Sequence, residues 1–204
     1  MRRKTVLLLL LHLAAAVLAL SASWEFLFSP GAGGNLVFSA RAFRYFTIDS
    51  NLLAALSSLL LLPYLPRLSR GAPLPDWLWT VRLASTAAVA VTLATVMLFL
   101  APIRGYDYML DGPDLYLHLI CPVLYILSFV LLEGKSGVPA RGALWGVLPV
   151  FVYGLVYMYM VVAHRRWPDF YFLNRGDRWY LSALIMVLAT AGISLGLWAG
   201  NRRR

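Results

Sequence analysis

The chain has 204 residues, of which 61% are hydrophobic and 13% charged, with a formal net charge of +9. Soluble domains carry charge on roughly a quarter of their residues. That class is therefore excluded, as is a disordered chain, and a single cysteine rules out a disulfide framework.

Six apolar runs approach the ~20 residues needed to cross a bilayer and occupy most of the chain. The pattern predicts an all-α fold: one polytopic six-helix transmembrane bundle, a single integral membrane domain over residues 1–204. The expected spans are Thr5–Phe26, Tyr45–Leu65, Val81–Ile103, Leu115–Leu132, Ala143–Ala163 and Trp179–Trp198. A spanning chain must satisfy its backbone internally, so each run is a helix. The breakers Ser29-Pro30-Gly31, Gly105, Gly112-Pro113, Gly134 through Pro139 and Gly176 fall between the runs or at their ends. Pro63 through Pro75 reads as a stiff linker. Trp24, Trp77, Trp79, Trp145, Trp167, Trp179 and Trp198 lie near span ends, where indole rings partition.

The first span raises a question of processing. Arg2-Arg3-Lys4, the apolar run Val6 to Leu20 and Ser21-Ala22-Ser23 also have the outline of a cleavable signal peptide. The length of the run, and its continuation through Trp24-Glu25-Phe26, favour a retained helix. His12 lies inside this span without a charged neighbour and reads as structural.

Basic residues set the orientation. Arg2, Arg3, Lys4, Arg67, Arg70, Arg82, Lys135, Arg141 and Arg202 through Arg204 fall in one set of segments, against only Asp76 and Glu133. In the opposite set, arginines and acids balance. The positive-inside rule then puts both termini in the cytoplasm. The high pI thus reflects topology and anionic headgroups rather than nucleic acid.

The second span opens Phe43-Arg44-Tyr45-Phe46-Thr47-Ile48-Asp49-Ser50-Asn51. Thr47, Ser50, Asn51 and Ala54 share one helical face, while Asp49 points elsewhere, toward Arg44 or a neighbouring helix. Polar groups at membrane depth are costly unless paired, so they are functional candidates; the alternative is that Thr47 caps the helix and Asn51 is interhelical glue. The fourth span opens Gly112-Pro113-Asp114, with His118 one turn deeper on the face of Asp114. Pro122 lacks the N–H that would bond the His118 carbonyl, so the helix should bend and open there. Thr47 and His118 each lie about one turn inside the outer end of their spans, hence at one depth. A hydroxyl and an imidazole so placed suit activation of the hydroxyl by a base.

Weaker candidates surround them. Cys121 is a rival nucleophile or a small apolar packing group. Arg165 and Arg166, with Arg44 and Arg104, meet lipid phosphates or hold a substrate carboxylate. Tyr153, Tyr157 and Tyr159 are bundle packing or cavity lining. No cofactor or metal is expected; His118 and His164 could clamp a haem only from separate helices.

On these residues the chain resembles the androgen-induced protein family of six-span threonine/histidine lipid hydrolases, in its bacterial predicted six-span branch. The likeness rests on Phe43 through Asn51, on His118 with Pro122, and on Trp167-Pro168. It implies hydrolysis of fatty acid esters of hydroxy fatty acids, or similar lipid esters, with Thr47 as nucleophile and His118 as general base. Asn51 is then the candidate oxyanion donor, with Asp114, Arg44, Arg165 and Arg166 at the substrate. Membrane lipids and a lipid ester are the expected partners, in a bacterial inner membrane. Two other readings remain open at this point: a lipid-binding or transport protein using the same polar cavity without reacting, and a structural protein whose polar face is interhelical glue. Transport has the weaker support, since no inverted repeat is visible.

Overall fold

The computed structural model describes residues 3–30, 35–133 and 137–202. Arg2, Gly31, Gly134, Lys135, Arg203 and Arg204, used above for orientation or as breakers, lie outside the described residues, as does the side chain of Lys4. Six helices are long and apolar enough to cross a membrane. They are α1 (Arg3–Leu27), α2 (Phe46–Ser69), α3 (Asp76–Arg104), α4 (Pro113–Leu131), α5 (Ala140–Ala163) and α6 (Trp179–Arg202). The only other regular pairing among the described residues is a short antiparallel hairpin, β1 (Phe28–Pro30) with β2 (Leu36–Phe38), which places Phe28 opposite Phe38.

The bundle is built around α3. In its most apolar stretch 61% of the residues are buried, against 22% for α5 and 17% for α6, which lie at the periphery. Near the chain termini, Leu8, Leu61, Leu78, Leu83, Phe129 and Leu197 pack together, which brings both ends of the chain to one face of the bundle. At mid-depth the core changes to Ala15, Ala16, Ala19, Ala54, Ala55, Val89 and Cys121. Small side chains let helix backbones approach closely, the usual basis of packing where lipid removes any hydrophobic drive. Gly146 follows the same logic between α5 and α6, because a Cβ there would collide with Ser194, whose hydroxyl donates to the Ala143 carbonyl at 2.6 Å.

Three helices loosen toward the face opposite the termini, called distal below. Val96–Leu100 in α3, Tyr116–Ile120 in α4 and Tyr159–Ala163 in α5 are π-helical turns. Two have a visible cause: Pro102 and Pro122 remove the N–H groups owed to the carbonyls of Leu98 and His118. The opening expected beside His118 is thus present.

Three expectations need correction. Pro63 through Pro75 is not a linker throughout, since the chain stays helical to Ser69; Pro63 and Pro66 sit in the first turns of short helices, where a missing N–H does no harm. Trp79 is no interfacial ring: it is fully buried and its indole N–H donates to the Asn201 side chain at 3.3 Å. His12 does have a charged neighbour, the carboxylate of Glu133 at 3.8 Å.

Candidate functional site

α2 starts at Phe46 after Tyr45 in extended conformation, and its first turns bury Thr47, Ser50 and Asn51 together, as their helical spacing requires. The Asn51 amide nitrogen donates to the Thr47 carbonyl at 2.8 Å and to the Leu117 carbonyl of α4 at 2.9 Å. One side chain therefore clasps the backbones next to Thr47 and His118. The two candidates stand on adjacent helices, both largely buried.

Their side chains turn to different partners. His118 Nδ1 lies 2.7 Å from the Met109 carbonyl. A carbonyl only accepts, so Nδ1 carries a proton, and in the neutral form of the ring Nε2 is the bare acceptor. That nitrogen is 3.8 Å from Asp114 Oδ1, too far for a hydrogen bond. Thr47 sits instead beside the hydroxyl of Tyr171. Among the described residues no hydrogen bond joins Thr47 to His118. Nor is Asn51 poised as an oxyanion donor: both its amide protons are spent on carbonyls, and its Oδ1 is buried without a partner.

A distal loop holds Tyr171 there. The Phe46 N–H donates to the Tyr171 hydroxyl at 2.9 Å, and Tyr153 donates to the Arg44 carbonyl at 2.6 Å. Tyr157 donates to Asp169 Oδ1 at 2.9 Å and accepts from the Tyr171 N–H at 3.2 Å. Asp169 also takes the N–H groups of Leu173 and Asn174, an aspartate-closed turn that fixes the loop. Burial pushes the Tyr171 phenol up to about 12, so it stays a neutral donor. Asp169 and Tyr171 were missed in the sequence; the Pro168-Asp169 turn signal was the available clue.

The arginines stand apart from Thr47 and His118. Arg44 Nε donates to the Arg41 carbonyl at 3.1 Å and its guanidinium lies over Tyr45. Arg104 holds the Phe170 carbonyl at 2.9 Å. Arg165, in a left-handed conformation, and Arg166 are exposed. Cys121 is buried among alanines, where a thiol packs as a small apolar group. Exposed His164 meets the Tyr159 ring edge-on.

A hollow of about 560 Å³ lies on another side of α2. Phe43, Phe46, Asp49, Ser50 and Leu53 form one wall, Leu148, Pro149, Val152, Tyr153 and Val156 of α5 the other, with Trp167 also lining it. Val152 and Val156 are exposed on the outside of the bundle, so the hollow opens sideways where lipid would lie. Neither Thr47 nor His118 lines it. Asp49 does, without the Arg44 pairing considered above: among the described residues its carboxylate has no hydrogen bond or ion pair.

A second polar centre sits toward the termini, and sequence reasoning missed it. Fully buried Arg82 of α3 forms a two-pronged pair with Glu133, Nε to Oε2 at 2.9 Å. Arg82 also donates to Ser57 at 2.8 Å and to Ser58 at 3.1 Å. His12 lies 3.3 Å from Ser58 and 3.1 Å from Ser128, which donates to Glu133 at 3.2 Å. With His12 neutral and protonated on Nε2, the hydrogen bonds run in one consistent direction: Arg82 to Ser58, Ser58 to His12, His12 to Ser128, Ser128 to Glu133. The ring closes on itself and ties α1, α2, α3 and the end of α4 together. Burial works against an ionised Glu133, but the charge and hydrogen bonds of Arg82, together with the His12 and Ser128 contacts, hold the carboxyl below its ordinary range. Asn201 of α6 completes the region by donating to the carbonyls of Phe129 and Glu133, each at 3.0 Å.

Among the described residues no group of three or more metal-ligating side chains gathers. Comparison with family models, curated proteins and solved structures finds no match to the chain.

Proposed function

We propose that the protein binds a membrane amphiphile in the hollow between α2 and α5, in the outer leaflet of a bacterial inner membrane. One observation carries this reading: the hollow opens sideways past Val152 and Val156, yet has Asp49 and Ser50 in its wall. Its volume falls in the range of ordinary small-molecule sites, roughly 300–1,000 Å³. A wall that is nearly all apolar, with Asp49 and Ser50 among its few polar side chains, suits a hydrocarbon chain with a small polar head. The test is to purify wild type and Val152→Trp, which fills the trough from a lipid-facing position, and to measure tightly held lipid by native mass spectrometry. Wild type should retain a lipid that the variant loses. Equal retention removes the reading.

Hydrolysis of a lipid ester by Thr47 and His118 is a second proposal, favoured by the Asn51 clasp and by the bare Nε2 of His118. In that mechanism Tyr171 withdraws, Nε2 takes the Thr47 proton and the Thr47 oxygen attacks the ester carbonyl. The alcohol leaves with the proton, and water releases the acid from the acyl-threonine. A lipid-ester hydrolysis screen decides it. Turnover must be lost in both Thr47→Ala and His118→Ala and kept in Cys121→Ala. Turnover surviving in Thr47→Ala ends this proposal and leaves the binding proposal standing.

A further inference from the structure

The hollow between α2 and α5 holds one carboxylate and no cation. Asp49 is half-buried in its wall and has no hydrogen bond or ion pair among the described residues. Its polar neighbours are already engaged. Ser50 donates to the Thr47 carbonyl and shares a 2.8 Å hydrogen bond with Thr92. Tyr153 gives its proton to the Arg44 carbonyl. The nearest cation in sequence, Arg44, is held by the Arg41 carbonyl and the Tyr45 ring and does not line the hollow. A carboxylate at membrane depth is costly unless something pairs with it, and among the described residues the protein supplies no counter-charge beyond the N-terminal dipole of α2. The remaining walls are apolar or aromatic, with Phe43, Phe46 and Trp167 among the lining side chains.

We infer that the occupant is an amphiphile with a protonated amine, its ammonium on Asp49 and its hydrocarbon along Leu53, Val152 and Val156. This rests on the binding proposal above and narrows it. It also excludes from this hollow any ligand whose carboxylate would meet Asp49, as a free hydroxy fatty acid ester would. Such a substrate could reach Thr47 only by another route.

The experiment uses full-length protein in nanodiscs and three amphiphiles sharing one alkyl chain: a primary amine, a primary alcohol and a sulfonate. Binding is measured for wild type, Asp49→Asn, Asp49→Glu and Val152→Trp, each confirmed as folded by size-exclusion chromatography. The amine should bind wild type about ten-fold or more tighter than the alcohol, with the sulfonate weakest. Asp49→Glu should keep that order and Asp49→Asn should abolish it. If amine and alcohol bind equally well and both are lost in Val152→Trp, the amine assignment is overturned while the binding proposal survives. An amine preference that persists in Asp49→Asn also overturns the assignment. If no amphiphile binds, or Val152→Trp binds as wild type does, both fail.

Discussion

Two polar regions of the bundle solve the cost of burial in opposite ways. Toward the termini, Arg82, Glu133, His12, Ser57, Ser58, Ser85 and Ser128 form a buried network in which each side-chain polar atom has a partner. At the distal end, Asn51 Oδ1 is orphaned, Asp49 is unpaired and three helices open into π-helical turns. Fully satisfied buried networks specify and rigidify a fold. Incomplete ones, and π-helical turns, accompany ligand sites. The first region holds the bundle together; the second is where the binding proposal seats its ligand.

The sharpest way to break this contrast is to remove one member of the satisfied ring. Arg82→Met leaves Glu133 buried and unpaired and should cost about 3–5 kcal/mol. Thermal unfolding in detergent checks it, and the double variant Arg82→Met/Glu133→Leu should recover most of the loss. A tolerated single variant would show that the ring is not the anchor. The pH dependence follows from the same pair. Because Arg82 holds the folded-state pKa of Glu133 below its unfolded value, the stability it contributes is present above the ordinary carboxylate range. It is lost as pH falls through the lowered value. Wild type should therefore destabilise in acid by a step that Glu133→Gln lacks, read as a difference between their melting curves against pH.

Smaller effects come next. Gly146→Ala drives a methyl into Ser194, whose hydroxyl is held by the Ala143 carbonyl, and should cost roughly 1–3 kcal/mol. Ser194→Gly in the same chain should relieve it. Tyr171→Phe removes the acceptor of the Phe46 N–H and should cost about 1 kcal/mol, with hydrogen exchange quickening at the start of α2. Smallest of all, Asp49→Asn should change stability by no more than about 0.5 kcal/mol, since it breaks no internal contact. A large loss there would mean that Asp49 serves the fold and not a ligand.

The spans were legible because apolar length is a property of each segment alone. Burial of Thr47 with Asn51 was legible too, since helical spacing decides which residues share a face. The Arg82 ring was not, for a physical reason. Arg82 reads as a flanking cation when α3 is started at Val81, but the helix begins at Asp76, which carries Arg82 roughly 9 Å into the bundle on the buried side. Its partner lies beyond the end of another helix, and His12 joins from a third; no pattern along one helix contains that meeting. The same limit applied to Thr47. Depth along the axis predicted its nearness to α4, but rotamers and the loop carrying Tyr171 decide what its hydroxyl touches. Trp79 misled in the same manner as Arg82, being near a span end yet turned inward.

On the binding proposal, the distal hollow, and not the exposed face of the bundle, receives the amphiphile. The most direct measurement is photolabelling of the protein in nanodiscs with an alkylamine bearing a diazirine on its chain, followed by peptide mapping. Label should concentrate on Leu53, Val152 and Val156 and be displaced by excess unlabelled alkylamine. Label spread along the lipid-facing side of α6, at Leu184, Ile185 and Leu188, without competition, would contradict the account.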